Sequence, residues 1–202
     1  MSPYVHLGWF VLLVLIPTAS GYGTGAPADA CVTMTPEHNN SSPQTDKSPY
    51  TLEVKRSVDD NDTMQACVKG KSFKGILGQI RVEGKTDPIG TFNDTNLPAH
   101  TKVMNCTNDD DSVTHASTAD KPDGACFVWK IHDHNCKHTL QFVATIAENK
   151  DIYWVELKSH VFFIAGHANE HEGTNNGATA AGLKFFTFAL CSLLAVVAGT
   201  VN

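Results

Sequence analysis

The sequence predicts an all-β protein, an immunoglobulin-like antiparallel β-sandwich with an extended N-terminal arm, and three observations carry that expectation. Between Tyr50 and Ile164 the chain divides into short runs in which apolar and polar residues alternate. Clusters of Gly, Pro, Asp and Asn separate the runs. No long stretch carries the 3.6-residue apolar period of an amphipathic helix. Successive side chains of a strand point to opposite faces, so alternation with frequent turns marks half-buried strands. Several such strands in series build a sandwich.

The elements follow in order. Residues 22–49 are rich in Gly, Pro, Ser, Thr and Asn and read as the extended arm. Pro43 and Pro49 fix their own φ and disfavour helix at the residues before them. YTLEVKRSV (50–58) alternates until DDND interrupts it, and TMQACVKG (63–70) and GILGQIRVEG (75–84) come next, split by KSFK. Gly75 and Gly78 lie in the latter run, where Gly marks a bulge or a close backbone approach. HTKVMN (100–105), SVTHAS (112–117), CFVWKI (126–131), TLQFVATIA (139–147) and IYWVELKSHVFFI (152–164) complete the series. Trp129, Phe142, Ile146 and Trp154 carry large apolar area for a core between two sheets, a commoner fate for Trp than stacking on sugars. In CFVWKIHDHNCKH (126–138), Phe127, Trp129 and Ile131 alternate onto one face, while His132 to His138 read as a polar turn and strand start. TNDDDS (107–112) reads as a solvated turn, lacking the Gly and distal Glu of an EF-hand loop. The polar, Gly-rich residues 165–176 read as a stalk.

The two ends suggest where the chain works. Residues 1–21 hold an apolar run from Leu7 to Ile16 followed by small residues, the build of a secretory signal peptide. That run is about half of the roughly 20 residues a spanning helix needs. At the other end Asn176, Gly177 and Ala178 are small, a short spacer reaches Lys184, and a mostly apolar tail completes residues 177–202. This is the order of a GPI-attachment signal, with Asn176 as the attachment residue. A single transmembrane helix is the alternative, although no Lys or Arg follows the tail as it would on a cytoplasmic side. The expected location is extracellular, secreted or anchored at the cell surface, with membrane association through the tail. Cysteines pair in such a setting. Asn-x-Ser/Thr triplets at Asn39, Asn40, Asn61, Asn93 and Asn105 are expected glycosylation acceptors. With 21 acidic and 15 basic residues and no basic cluster, the chain has no electrostatic footprint for nucleic acid. The same balance argues against lysis of anionic membranes by a cationic helix.

One run of motifs is specific enough to compare with a family. CVTMTPEH (31–38), SPQTDKSPYTLEV (42–54), SFKGILGQIR (72–81), PIGTF (88–92), TKVMNC (101–106), VTH (113–115), FVWKI (127–131) and QFVATIAENKDIYWVEL (141–157) resemble, in order and spacing, the reeler domain. That module stands at the N-terminus of reelin and F-spondin-like proteins. The resemblance is greater to the small, single-reeler secreted defence proteins of invertebrates, and places the domain at residues 31–164. It implies recognition rather than catalysis, with no cofactor. In the defence branch it implies immune induction and binding of microbial cell-wall polysaccharides or lipopolysaccharide. The alternative is an adhesion or matrix module that binds an extracellular protein partner. One departure stands out: those defence proteins are plainly secreted, whereas this chain carries an anchor-like tail.

Of six cysteines, Cys191 lies in the tail and would leave with it. Family-like placement pairs Cys31 with Cys106, a bond that would pin the arm and contribute roughly 4 kcal/mol in the chain-entropy model. The other three allow one more bond and one free thiol. Cys126 and Cys136 are close in sequence and would pair across a tight turn. As ends of a simple hairpin they would be out of register, so Cys67 with Cys126 or Cys136 is the alternative. His132 and His134, with His138 or Cys136, match no zinc motif, and His167 and His171 lack the HExxH order. No local signature of a Cys/His nucleophile appears. Some larger reeler-containing membrane proteins resemble ferric reductases, whose redox chemistry needs a multi-helix haem-binding membrane portion that this chain is expected to lack. No metal site and no enzyme activity are therefore expected.

Overall fold

The computed structural model describes residues 22–36, 38, 41–56, 63–131 and 138–164. Among these residues ten strands follow a single helical turn: α1 (Ala30–Thr33), β1 (Thr51–Arg56), β2 (Thr63–Lys69), β3 (Gly75–Val82), β4 (Thr91–Phe92) and β5 (Thr101–Met104). Then come β6 (Ser112–His115), β7 (Cys126–Lys130), β8 (His138–Ala147), β9 (Tyr153–Lys158) and β10 (Phe162–Ile164). They form two antiparallel sheets, one ordered β1-β2-β7-β4 and the other β10-β8-β3-β6-β5, with β9 also paired to β8. This is the all-β sandwich that the alternation predicts.

The core between the sheets follows from the strand period. Phe127 and Trp129 of β7, Ile76 and Ile80 of β3, and Phe142 and Ile146 of β8 all point into it, each two or four residues from the next. Tyr50 meets Trp154 edge-to-face at 5.6 Å, and Phe92 meets Phe127 at 6.4 Å, a geometry that suits the ring quadrupoles. The Trp129 indole donates to the Ile89 carbonyl at 2.9 Å, so its one polar atom is satisfied inside the core. Gly78 is the close approach anticipated from the sequence: a Cβ there would sit 3.0 Å from both Phe142 and Val113.

β3 and β8 do not alternate in burial as β7 does. β3 is buried from Ile76 to Arg81 without a break because both of its faces are covered. Its inward residues join the main core, while Leu77 joins Val143, Ala30 and Met34 in a second apolar cluster on the outer face.

In its local elements the structure differs from the sequence reading at four places. The arm is not extended throughout. Residues 30–33 form α1, closed by Met34 at φ 54°, whose N–H donates to Ala30 O at 2.7 Å. Pro43 and Pro49 lie well downstream and do not oppose this turn. β4 is a two-residue strand that pairs Phe92 with Trp129. The run 152–164 is two strands rather than one, because the Ser159 hydroxyl takes a place in the ladder: Oγ accepts from Phe142 N at 3.0 Å and donates to His160 O at 2.8 Å. Within β9, Val155 and Glu156 together oppose Thr145 in a bulge, with Glu156 at φ 51°. Finally, the 107–112 loop is organised around a buried carboxylate. Asp111 accepts from the N–H groups of Cys106, Thr107 and Asn108 at 2.9, 2.7 and 2.6 Å, and from Ser112 Oγ at 2.9 Å.

Candidate functional site

The arm lies over the outer face of the six-stranded sheet and is tied there at both ends. At its start, His115 Nε2 lies 2.7 Å from Tyr22 O, and Ala26 N donates to Thr114 Oγ1 at 2.8 Å. After α1, Thr145 Oγ1 donates to Met34 O at 2.6 Å. Further on, Tyr153 donates its hydroxyl to Ser41 O at 3.0 Å and Trp154 Nε1 donates to Asp46 O at 3.3 Å.

The strongest tie is a buried polar clamp. Arg81 is 3% exposed and donates from Nη2 to Cys31 O at 2.8 Å and to Val32 O, and from Nε to Gln79 Oε1 at 2.8 Å. These carbonyls belong to α1, whose last C=O groups have no partner within so short a helix. Gln79 Nε2 donates to Cys31 O at 3.2 Å. Burial pulls the Arg81 guanidinium below its ordinary pKa, against the opposing pull of Glu156 and Asp87. Cys31 is disulfide-bonded to Cys106, as its family-like placement implies, and so fixes α1 to the Asp111-centred loop.

Between α1 and the other end of the sheet a cavity of about 340 Å³ remains. Gly75, Leu77, Thr145 and Ala147 line it from the sheet, and Ala26, Pro27, Ala30 and Met34 from the arm. The hole exists because the residues facing each other here are small: Gly75 and Ala147 are register partners with nothing larger than a methyl between them. Lys74, Lys150 and Thr118 line it as well and are exposed, so they stand on its solvent side. Lys121 holds that rim in place. Its buried ammonium donates to the carbonyls of Lys74, Ser117 and Ala119 at 2.6, 2.5 and 2.8 Å. Burial lowers the Lys121 pKa, and Asp120 opposes the shift.

Most polar groups around the cavity are already engaged. Thr145 and His115 bond the arm, Asn149 Oδ1 accepts from Asp151 N and Ile152 N, and Lys150 Nζ lies 2.7 Å from both carboxylate oxygens of Asp151. His38 is different. It lines the cavity and stacks edge-on against Tyr153 at 5.4 Å, and its buried Nδ1 has no hydrogen-bond partner among the described residues. The Lys74 ammonium, unlike that of Lys71 with Glu148, makes no ion pair among the described residues.

The sequence-predicted residues fall as follows. Cys126 is bonded to Cys67, its direct register partner between β7 and β2, and not to Cys136. The correction has a plain cause: adjacent strands bring Cys67 and Cys126 directly opposite each other. Cys136 itself lies outside the described residues, as do His132, His134, Asn39, Asn40, Asn61, Asn176, the two terminal signals and the stalk. Asn93 and Asn105 are both exposed. Asn93 Oδ1 accepts from Thr95 N at 2.8 Å, and Asn105 Nδ2 donates to Asp109 at 2.8 Å. Among the described residues no three His, Cys, Asp or Glu side chains are placed to hold a metal ion, and no helix is long and apolar enough to cross a membrane. The sequence reading missed the cavity. Its one legible hint was the small apolar run GAPADA in the arm, which a purely solvated segment would not need.

A family model described as Reeler domain matches residues 29–170. A defense protein of Drosophila melanogaster is 31% identical over 152 residues, covering 72% of this chain and 93% of its own length. A ferric-chelate reductase of Bos taurus is 27% identical over 164 residues, but this chain spans only 27% of that protein. Among solved structures, the human F-spondin reeler domain matches with a TM-score of 0.45 at 14% identity, covering 60% of this chain and 94% of that one.

Proposed function

The chain belongs to the reeler domain family, and on that premise we propose that it is an extracellular, non-enzymatic binding protein of the defence response that recognises microbial surfaces. The observation that carries this reading is the solvent-open apolar cavity held in shape by the arm. Apolar concave sites with a few polar groups at the rim are where small ligands bind. Most polar groups around this one are already engaged, and among the described residues none is arranged as a nucleophile with its base. The relative named a defense protein supports the same direction. Of the two microbial ligand classes, lipopolysaccharide suits the cavity better than a neutral wall polysaccharide, whose hydroxyls would need a lining rich in unpaired polar atoms.

The reading extends to location. The terminal signals make the chain a glycosylated extracellular protein, with Asn93 and Asn105 exposed for modification and Asn176 as the lipid attachment residue. Binding of the purified chain to whole bacteria and to immobilised lipopolysaccharide, peptidoglycan and β-glucan tests the recognition. Retention on bacteria and on lipopolysaccharide is the expected result. Retention on none of them, with binding to a host matrix protein instead, would overturn it in favour of adhesion. Release of the protein from cells by phosphatidylinositol-specific phospholipase C tests the anchor, and resistance to release would point to a spanning helix.

A further inference from the structure

The cavity beneath the arm is specific enough to name a ligand class. We infer that it takes one medium-length acyl chain of an acidic microbial amphiphile, with the chain against Leu77, Met34 and Ala26 and the acidic head toward Lys74. This rests on the microbial-recognition reading above and narrows it to the lipid portion of the target.

Four observations converge on it. The lining is apolar on both sides, arm and sheet, and its Thr145 and His115 polar groups face protein partners, so a ligand must bind by its apolar part. The volume of about 340 Å³ is roughly twice the ~150 Å³ that encloses one benzene ring, which gives room for about a dozen carbons. Two or more chains would not fit. At the solvent side, the Lys150 charge is matched by Asp151, while the Lys74 charge has no ion-pair partner among the described residues. Inside, the buried His38 Nδ1 has no partner among the described residues, and a buried polar atom of this kind calls for one. A carboxylate or phosphate head with its adjoining polar oxygens meets both needs. A neutral amphiphile meets only the second.

The test uses the purified full chain, stripped of lipid, and a fluorescent fatty-acid probe displaced by dodecanoate, dodecanol, lipopolysaccharide or chemically deacylated lipopolysaccharide. Dodecanoate and intact lipopolysaccharide should displace the probe, and the deacylated form should fail. Ala26→Phe fills the cavity from the arm, and Thr118→Trp obstructs it from the rim. Each should weaken dodecanoate at least tenfold with no fall in thermal stability. Two variants on separate segments protect the test against misfolding of either. Lys74→Glu should weaken dodecanoate several-fold and leave dodecanol unchanged. Failure of dodecanoate to displace the probe, or displacement indifferent to both filling variants, would overturn the acyl site. Equal competition by deacylated lipopolysaccharide would overturn it while leaving microbial recognition standing. Dodecanoate binding that is lost in the filled variants, in a chain that retains no bacteria, would support the cavity and overturn the recognition reading.

Discussion

The two faces of β3 are built from one eight-residue strand and do opposite things. Its inward side places Ile76 and Ile80, with Gly78 between them, into an apolar core filled by Trp129, Phe127 and Phe142. Its outward side places Leu77, Gln79 and Arg81 under the arm, closed at one end by a polar clamp and left hollow at the other. The inward face is filled by large rings, and a methyl at Gly78 would sit 3.0 Å from Phe142 and Val113. The outward face leaves about 340 Å³ unfilled beside Gly75. A cavity lowers stability, since its lining loses contacts it would otherwise make. The contrast teaches that this fold keeps its stability on one side of a strand and a binding-sized space on the other.

The largest effect expected from breaking this contrast is on the inward face. Trp129→Ala should cost about 3–5 kcal/mol, through lost burial and the void left between the sheets, and a urea titration would read it as a lower midpoint. A loss below about 1 kcal/mol would mean that the inter-sheet core does not hold the domain together.

Next come the two disulfides, which close loops of similar length, with sequence separations of 75 and 59, and so carry a similar chain-entropy contribution of ~4 kcal/mol each. They should differ in where the damage appears. Cys31→Ser with Cys106→Ser should free α1, speeding amide exchange across residues 26–34 and weakening ligand binding. Cys67→Ser with Cys126→Ser should lower the global midpoint while exchange in the arm keeps its relative protection. Identical exchange patterns in the two double variants would remove the distinction between the faces.

The smallest effect is a pH dependence on the inward side. Burial, reinforced by the Glu148 charge, raises the Tyr50 hydroxyl to about 12, from about 10 in an unfolded chain. The folded state thus holds that proton more tightly. The stability it contributes is fully present below pH 10 and is lost as pH rises through about 12. Tyr50→Phe removes the hydrogen bond to Ser72 O, worth about 1 kcal/mol, and should flatten the alkaline fall in stability relative to the parent chain. A parallel fall in both would assign the alkaline sensitivity to another group.

Legibility in the sequence follows the same division. β1 and β7 are covered on one face only, so Leu52, Phe127 and Trp129 stand out by alternation and locate the core directly. β3 and β8 are covered on both faces. Their apolar content announces strands, but it says nothing of what lies on the outer side. β4, at two residues, and α1, at four, are shorter than any period that could reveal them. The partner of Cys126 depends on which strand is adjacent in the sheet, and local spacing carries no information about that. The cavity was the least legible feature. Its lining comes from the arm, three strands and three loops, and its emptiness is a property of small side chains meeting across space.

The bulge at Val155 and Glu156 has a consequence for the protein in the company of its own copies. A sheet edge with unpaired N–H and C=O groups is a template for another chain, and long flat edges lead to fibres. In this domain β4, β5 and β10 offer edges of two to four residues, and β1 carries Glu53, Lys55 and Arg56 along its edge. β9 is the six-residue edge that these devices leave over, and there Glu156 at φ 51° turns the backbone out of line. Among the described strands a neighbouring molecule therefore meets edges that are short, charged or bent, and each discourages pairing through the sheets.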